Sequence, residues 1–228
     1  MLILLPPSEG KSDAEGEGVF RELHPELERD TKGVLKHLRG LKGDAVGKFY
    51  GIKDAAKAKA VHRENLAVLK SGGLRAVERY TGVVYVHADF GTIRARKRVE
   101  SQVQVVSGMF GLISSGTAIP YYKLPMNAWL ARYWREINTK RLAEARGKMN
   151  VLSLLPQAYS RALALDLDDV VEVQFKVGGG KKLAGHFGKA IKGRFVRYLI
   201  ENDVKSSKDF DGFTEDGFRF DGTNFVQQ

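Results

Sequence analysis

Cysteine is absent from the 228-residue chain, which rules out disulfide bonds, thiolate catalysis and cysteine-ligated zinc. Histidine is scarce, and none of the five residues is paired at metal-ligand spacing: His24, His37, His62, His87 and His186. Zinc-binding histidines recur at short, regular spacing. The sequence therefore predicts no metal site, and nothing in it calls for another cofactor.

Long apolar runs are missing as well. No stretch approaches the roughly 18 apolar residues that indicate a membrane span. The opening MLILLPP is too short for a signal peptide and has no basic flank. We expect a cytoplasmic protein that has no membrane partner. With 43% hydrophobic and 28% charged residues, the composition is that of a globular chain, and we predict a monomer with one domain over residues 1–228.

Several enzyme signatures are also absent. Gly10-Lys11-Ser12 imitates the end of a phosphate-binding P-loop, but Leu5 stands where that loop requires glycine. There is no G-x-S-x-G elbow of a hydrolase and no G-x-G-x-x-G of a dinucleotide fold. The sequence thus identifies no reaction and no catalytic residue.

Positive charge is plentiful and segregated. The net charge is +10, and residues 29–79 hold 13 basic and 5 acidic side chains. Lys181–Arg197 holds 6 basic residues and no acidic one, whereas residues 9–28 hold 7 acidic and 2 basic. Segregated charge produces a field that attracts polyanions. A basic face that binds a polyanion is favoured over a merely solvated surface.

The basic region at about 29–79 has a helical pattern. Val34, Leu35 and Leu38 recur at helical spacing in a helix predicted over Leu27–Leu41, and a second helix is predicted over Ala55–Ser71. Before the second helix, Gly51-Ile52-Lys53 resembles the turn of a helix-hairpin-helix unit, whose amide groups face a DNA phosphate. Lys53 replaces the usual second glycine. A simple helical hairpin with a solvated basic face is the alternative, and the phosphate-binding candidates here are Lys48, Lys53 and Lys57.

Two further segments are candidates for phosphate contacts. The first is a loop predicted between strands Val83–His87 and Val103–Ser107, with the cations Arg94, Arg96, Lys97 and Arg98. The second is a helix predicted over His186–Asp203, which also carries Lys192. In it Lys189, Gly193 and Arg197 follow at i, i+4 and i+8, which places a bare backbone patch between two cations. The alternative for this helix is that Gly193 permits close helix packing and that Arg197–Glu201 is an ordinary helical pair.

The segment Val103–Pro125 is predicted to be a strand that runs into a glycine-rich loop. A glycine-rich turn before a helix, with no ligand, is the alternative for this segment. Small and aromatic residues in this loop, together with the end of the first strand, form a candidate ligand pocket: Ser8, Ser107, Gly108, Gly111 and Tyr121. Lys11 and Lys123 are the nearby cations for an anion. An enzyme acting on a nucleotide or nucleobase at these loops is the alternative to a DNA-binding protein.

The remaining apolar patterns predict both strands and helices. Strands are predicted at Met1–Leu5, Val151–Leu155 and Val170–Val177, with another near 182–186, a helix at Ala128–Arg146 with both tryptophans in the core, an acidic surface loop at 13–26 and a C-terminal hairpin. The predicted fold class is α/β (mixed α+β), with a central mixed sheet and a helix-hairpin-helix-like basic segment.

Five segments together resemble one protein family, the YaaA family of bacterial peroxide-stress proteins. They are Met1–Ser8 with Lys11, Tyr80–Tyr85, Ser107–Ile113 with Pro120–Leu124, Lys189–Asn202, and Phe213 with Gly217–Asp221. The matches come in family order and span the chain. Ser107–Ile113 reads SGMFGLI, similar to the family pattern S-G-(L/M)-(Y/F)-G-(L/V)-(L/I).

The resemblance implies a mixed α/β fold with a helix-hairpin-helix and a positive cleft. It also implies binding of duplex or distorted DNA and a role in surviving hydrogen peroxide, including lowering of free iron. Charge and resemblance together predict a DNA-binding protein that grips backbone phosphates. Its predicted partner is double-stranded DNA, with bent, gapped or mismatched duplexes as candidate forms. RNA is a weaker candidate because no RNP-type aromatic pattern is present.

Overall fold

The computed structural model describes residues 1–165, 170–183 and 185–228. Of residue 182 it describes the backbone and not the side chain. Its strands are β1 (Leu2–Leu5), β2 (Glu17–Val19), β3 (Gly72–Arg75), β4 (Val103–Ser107), β5 (Gly111–Ser114), β6 (Ala118–Ile119), β7 (Val151–Ser153), β8 (Val170–Glu172), β9 (Phe175–Val177), β10 (Lys181–Lys182), β11 (Phe218–Phe220) and β12 (Phe225–Gln227). Its helices are α1 (Phe20–Leu23), α2 (Pro25–Gly40), α3 (Asp44–Tyr50), α4 (Ala55–Ala67), α5 (Ala76–Arg79), α6 (Val83–Ala88), α7 (Arg96–Gln102), α8 (Ala128–Arg146), α9 (Gln157–Ser160) and α10 (Gly185–Glu201).

A five-stranded sheet with the order β5-β4-β1-β7-β8 forms the centre of the fold. β1 pairs in parallel with β4 on one side and β7 on the other, so that Ile3 lies opposite both Val103 and Leu152. β8 continues the parallel arrangement, and β5 adds an antiparallel edge. All four residues of β1 are buried, as expected for a continuous apolar strand covered on both faces. The predicted mixed α/β class with a central mixed sheet is confirmed.

Two smaller sheets flank the central one. β2, β3 and β6 form an antiparallel three-stranded sheet, and the order of the other is β10-β9-β12-β11. The predicted C-terminal hairpin is confirmed as β11 and β12, with Phe220 opposite Phe225. Six phenylalanines pack together between this sheet and α10, all of them buried: Phe175, Phe195, Phe210, Phe213, Phe218 and Phe225. Nearly all the buried hydrophobic side chains of the described residues belong to one continuous cluster.

The long helices follow their predicted bounds closely. α8 spans Ala128–Arg146 as predicted, and Asn127 caps it by accepting a hydrogen bond from the Leu130 amide. Trp134 is fully buried, and its indole N–H donates to the Gly108 carbonyl, so its predicted core position is confirmed. Trp129 is partly buried and stacks between His37 and Tyr133.

The strand predicted at Val83–His87 is wrong, because this segment is helix α6. Its β-branched residues favour a strand locally, but β propensity is a weak preference that packing overrides. α6 lies against α10, and Tyr85 is buried with its hydroxyl donating to the Pro6 carbonyl. The tertiary contacts of this helix decide its conformation.

Four smaller predictions also need correction. The cationic loop at 94–98 runs into α7 from Arg96 onward, and the acidic loop at 13–26 contains β2 and α1. The strand Val170–Val177 is two strands, because β8 joins the central sheet and β9 the Phe-rich one. Of the short strand expected near 182–186, Ala184 lies outside the described residues, while β10 ends at Lys182 and α10 begins at Gly185.

Across the described ranges, no helix combines the length and apolarity that crossing a membrane requires.

Candidate functional site

A pocket of about 230 Å³ lies at the carboxyl end of the central sheet. Its walls come from the loop after β1, the segment before α8, the α3–α4 turn and α9. In open sheets with parallel strands, ligands bind at this edge, where neighbouring strands end together. The lining residues are Pro7, Ser8, Glu9, Lys11, Tyr50, Gly51, Ile52, Lys57, Lys123, Leu124, Pro125 and Tyr159. Three lysines from distant parts of the chain thus meet in one pocket with one carboxylate.

Lys11 is the most enclosed of these lysines. Its ammonium donates a hydrogen bond to the Ser8 carbonyl at 2.7 Å. It also lies 4.7 Å from the centre of the Tyr122 ring and 5.5 Å from that of Tyr80. Burial, reinforced by the charge of Lys123, lowers the pKa of Lys11 from 10.5 to about 8. A large fraction of its amine is therefore uncharged at mildly alkaline pH.

A chain of buried hydroxyls supports the two rings beneath Lys11. The Tyr122 hydroxyl is 2.8 Å from the Tyr80 hydroxyl and 2.8 Å from Ser107 Oγ. Ser107 Oγ also accepts hydrogen bonds from the amides of Met109 and Phe110. Burial raises the pKa of Tyr80 and Tyr122 well above the usual range, so both phenols stay protonated.

The backbone of Lys123 is held by Asn65, which no sequence pattern had singled out. Asn65 of α4 is fully buried, donates to the Lys123 carbonyl at 2.8 Å and accepts from its amide at 2.9 Å. Its signal was present in the sequence, because Ala58, Val61 and Asn65 share the buried face of α4. A polar residue on an apolar helix face needs a specific partner. Tyr50 and Tyr159, also missed, line the pocket from segments that are remote in sequence.

The glycine-rich loop after β4 supports the pocket from below and does not line it. Ser107, Gly108 and Gly111 are buried and are not among the residues that line it, so their place in a ligand pocket stays a prediction. A Cβ at Gly108 would lie 2.6 Å from the Leu124 carbonyl oxygen, and Gly111 has a φ of +70°. These positions need glycine because the 121–125 segment and α8 pack directly on the backbone. Tyr121 is half-buried and is not among the residues that line the pocket.

The α3–α4 hairpin separates this pocket from a second groove. Gly51 and Ile52 line both, and the groove has a volume of about 590 Å³ with Lys48, Lys53 and Lys59 in its walls. Gly51 ends α3 in the left-handed conformation, with a φ of +67°. Gly47 allows the Ile52 carbonyl to approach, because a Cβ there would lie 2.6 Å from that oxygen. The structure thus brings Lys11, Lys57 and Lys123 together on one side of the turn and Lys48 and Lys53 on the other.

The Arg94–Arg98 cluster lines a different depression, of about 680 Å³, that shares no lining residue with the two cavities at the hairpin. Arg94, Arg96 and Lys97 are exposed. Arg98 is engaged within the protein, since it donates to the Ile200 carbonyl and pairs with Asp203 at 3.2 Å. Phosphate contacts by this cluster stay a prediction.

The bare backbone patch predicted on α10 is covered. A Cβ at Gly193 would lie 2.8 Å from His87 Cβ, so this glycine lets α10 pack tightly on α6 and no phosphate reaches it. Arg197 donates to Thr92 Oγ1 and pairs with Glu201 at 2.7 Å. Close packing with an ordinary helical ion pair, the alternative interpretation, is confirmed. Lys189 is exposed at the start of α10 and Lys192 is half-buried, and their phosphate contacts stay predictions.

Within the described part of the chain, no three His, Asp or Glu side chains lie close enough together to hold a metal ion. The pocket provides ammonium groups that can bind an anion and aromatic walls at Tyr50 and Tyr159. It also provides one enclosed amine, that of Lys11, which can act as a nucleophile.

The fold and the site define a mixed α/β protein with a lysine-lined pocket at the carboxyl edge of its sheet and a basic helical hairpin beside it. The chain belongs to the peroxide stress protein YaaA family, whose model matches residues 1–224. A UPF0246 protein of Streptomyces coelicolor is 32% identical, over 88% of this chain and 83% of its own length. UPF0246 proteins of Corynebacterium glutamicum and Caulobacter vibrioides are 29% and 27% identical, over 92% and 96% of this chain and 89% and 93% of their own lengths.

Proposed function

We propose that this protein binds double-stranded DNA by its phosphates at the α3–α4 hairpin and acts in the response to peroxide stress. The peroxide role comes from the family description, with which the chain is consistent. The observation that carries the DNA proposal is the set of exposed lysines around the hairpin turn: Lys48, Lys53, Lys57 and Lys59. Among the described residues, none of these four ammonium groups pairs with a carboxylate. Uncompensated cations grouped on one surface are what a phosphate backbone requires.

The backbone of the hairpin adds to this charge. α4 is 13 residues long and begins at the turn, so the positive end of its dipole points to the same surface. Asp54 caps the helix through the Lys57 amide, which satisfies one of its first amide groups and leaves others at the turn. The hairpin therefore combines side-chain and main-chain donors on one edge.

The test is a comparison of two charge reversals on the same helical unit. Lys53 lies at the turn, whereas Lys70 is exposed just beyond the other end of α4, roughly 25 Å away along the helix axis. We expect Lys53→Glu to weaken duplex binding about tenfold or more and to reduce the salt slope, because each phosphate contact contributes about 0.9 to that slope. Lys70→Glu should change affinity by less than about threefold.

Binding is measured by fluorescence anisotropy on intact, gapped and mismatched duplexes of one length over a salt series. Tighter binding to the gapped and mismatched duplexes would support recognition of DNA shape. Equal losses of affinity in the two variants would indicate that the overall positive charge, and not the hairpin, causes the binding. Weak binding with a shallow salt dependence in the wild-type protein would contradict the DNA proposal itself.

A further inference from the structure

Lys11 occupies a position that phosphate binding at the hairpin does not explain. Its ammonium lies over the Tyr80 and Tyr122 rings and donates a hydrogen bond to the Ser8 carbonyl, yet the side chain still forms part of the pocket wall. A lysine that only attracts DNA gains nothing from such enclosure, because desolvation weakens its charge. Enclosure beside other cations is how proteins make a lysine amine nucleophilic.

The other groups in the pocket indicate what such an amine would meet. Lys57 and Lys123 supply two further positive charges, and Glu9 is the one carboxylate in the lining. This balance favours a substrate that carries an anionic group next to the reacting atom. Phosphate is suited to two ammonium groups, while the aromatic walls formed by Tyr50 and Tyr159 suit a flat or sugar-like body.

The size of the pocket narrows the substrate further. Its volume of about 230 Å³ is below the range of roughly 300–1,000 Å³ that holds a drug-sized ligand. A single sugar phosphate therefore matches this volume better than a complete nucleotide does. The pocket also borders the α3–α4 turn, since Gly51 and Ile52 belong to both. A sugar displaced from DNA bound at the hairpin would have a short path into it.

We propose that Lys11 forms a Schiff base with the aldehyde of a sugar phosphate, presented either by an abasic site in DNA or as a free pentose phosphate. The neutral amine attacks the carbonyl carbon, and a new C–N bond forms as the carbonyl π-electron pair moves to oxygen. A proton passes from nitrogen to that oxygen, and loss of water breaks the C–O bond and leaves the imine. The step needs no oxidant or reductant. The abasic-site form rests on the DNA binding proposed above, and the free form does not.

The test is trapping of the imine with sodium cyanoborohydride, which reduces it to a stable amine. One arm uses a labelled duplex with a single natural abasic site, and its matched control has a tetrahydrofuran analogue that lacks the aldehyde. The other arm uses free 2-deoxyribose 5-phosphate. Tryptic peptides of the wild-type adduct are then sequenced by mass spectrometry. Lys11 is the only lysine in residues 1–21, and an adduct on it blocks tryptic cleavage, so the modified peptide spans residues 1–21. Fragment ions then show whether the adduct is on Lys11 or on the terminal amine.

The expected result is a covalent adduct at Lys11 in one arm or both, and none with the tetrahydrofuran duplex. The arm that reacts identifies the source of the sugar phosphate. Lys11→Arg keeps the positive charge but forms no stable imine, and it should lower the yield at least tenfold, whereas Lys70→Arg should leave the yield unchanged. Adducts absent from both arms, confined to the terminal amine or scattered over surface lysines would overturn the proposal. A mobility shift on intact duplex, run without the reductant, reports DNA binding separately.

Discussion

Replacement of Lys11 by methionine tests the electrostatic reasoning about the pocket without any ligand. Methionine keeps an unbranched, apolar side chain at this position and removes the ammonium that lies over the Tyr80 and Tyr122 rings. Burial lowers the pKa of Lys11 from 10.5 to about 8. At about 1.36 kcal/mol for each pKa unit, the charged lysine costs the folded state about 3 kcal/mol at pH 7. The variant leaves the Ser8 carbonyl without its donor, which costs about 1 kcal/mol.

The expected net effect is therefore a gain of about 2 kcal/mol in the free energy of unfolding at pH 7. For a chain of this length that corresponds to a rise in Tm of roughly 4–8 °C. The measurement is urea denaturation of both proteins between pH 7 and 9.5. Because the pKa of the folded state is the lower one, the unfolded wild-type chain binds more protons between pH 8 and 10.5. Wild-type stability relative to the variant thus rises with pH in this window, and the gain should shrink by about 2 kcal/mol by pH 9.5.

Lys57→Met is the matched control, since this lysine lines the same pocket but is exposed. Its effect should stay within about 0.5 kcal/mol at every pH. A Lys11→Met protein that is less stable than the wild-type protein at pH 7 would contradict this prediction. A stability difference between the two proteins that does not vary with pH would contradict it as well.

Two further substitutions test the packing that positions the site. Gly193→Ala should lower the free energy of unfolding by about 1–3 kcal/mol in chemical denaturation, because its Cβ would overlap α6 2.8 Å from His87 Cβ; an unchanged midpoint would contradict the close packing of α6 and α10. Asn65→Ala should cost about 2–4 kcal/mol, since it leaves the Lys123 amide and carbonyl without their partners, and the same denaturation experiment measures it. A loss below about 1 kcal/mol for Asn65→Ala would show that the Lys123 backbone finds other partners.

The elements that local pattern predicts well are the ones whose residues carry a single consistent signal. β1 is a continuous apolar run, and α8 has helical spacing between the Asn127 cap and Gly147. The Val83–His87 segment shows the limit of this approach, because its β-branched residues favour a strand while its contacts with α10 make it helix α6. The local preference of a residue for helix or strand contributes tenths of a kcal/mol, whereas its packing contributes several kcal/mol.

Some features of the candidate site can likewise be predicted from the sequence, and others cannot. Residue type and order already point to Ser8, Lys11 and Lys123 as groups for an anion, and to Lys48, Lys53 and Lys57 as a basic hairpin. The glycines after β4 are recognisable as special, but a sequence does not distinguish a backbone that contacts a ligand from one that contacts its own chain.

By itself, the sequence determined the charge segregation, the central strands, the long helices and the family. Those follow from composition and from spacing over a few residues. Only the tertiary structure decided that Lys11, Lys57 and Lys123 share one pocket, that Ser107 lies beneath it, and that Gly193 is covered by α6. The physical reason is that burial and the meeting of distant side chains depend on the packing of the whole chain, and these set the charge state and the reactivity of a group such as Lys11.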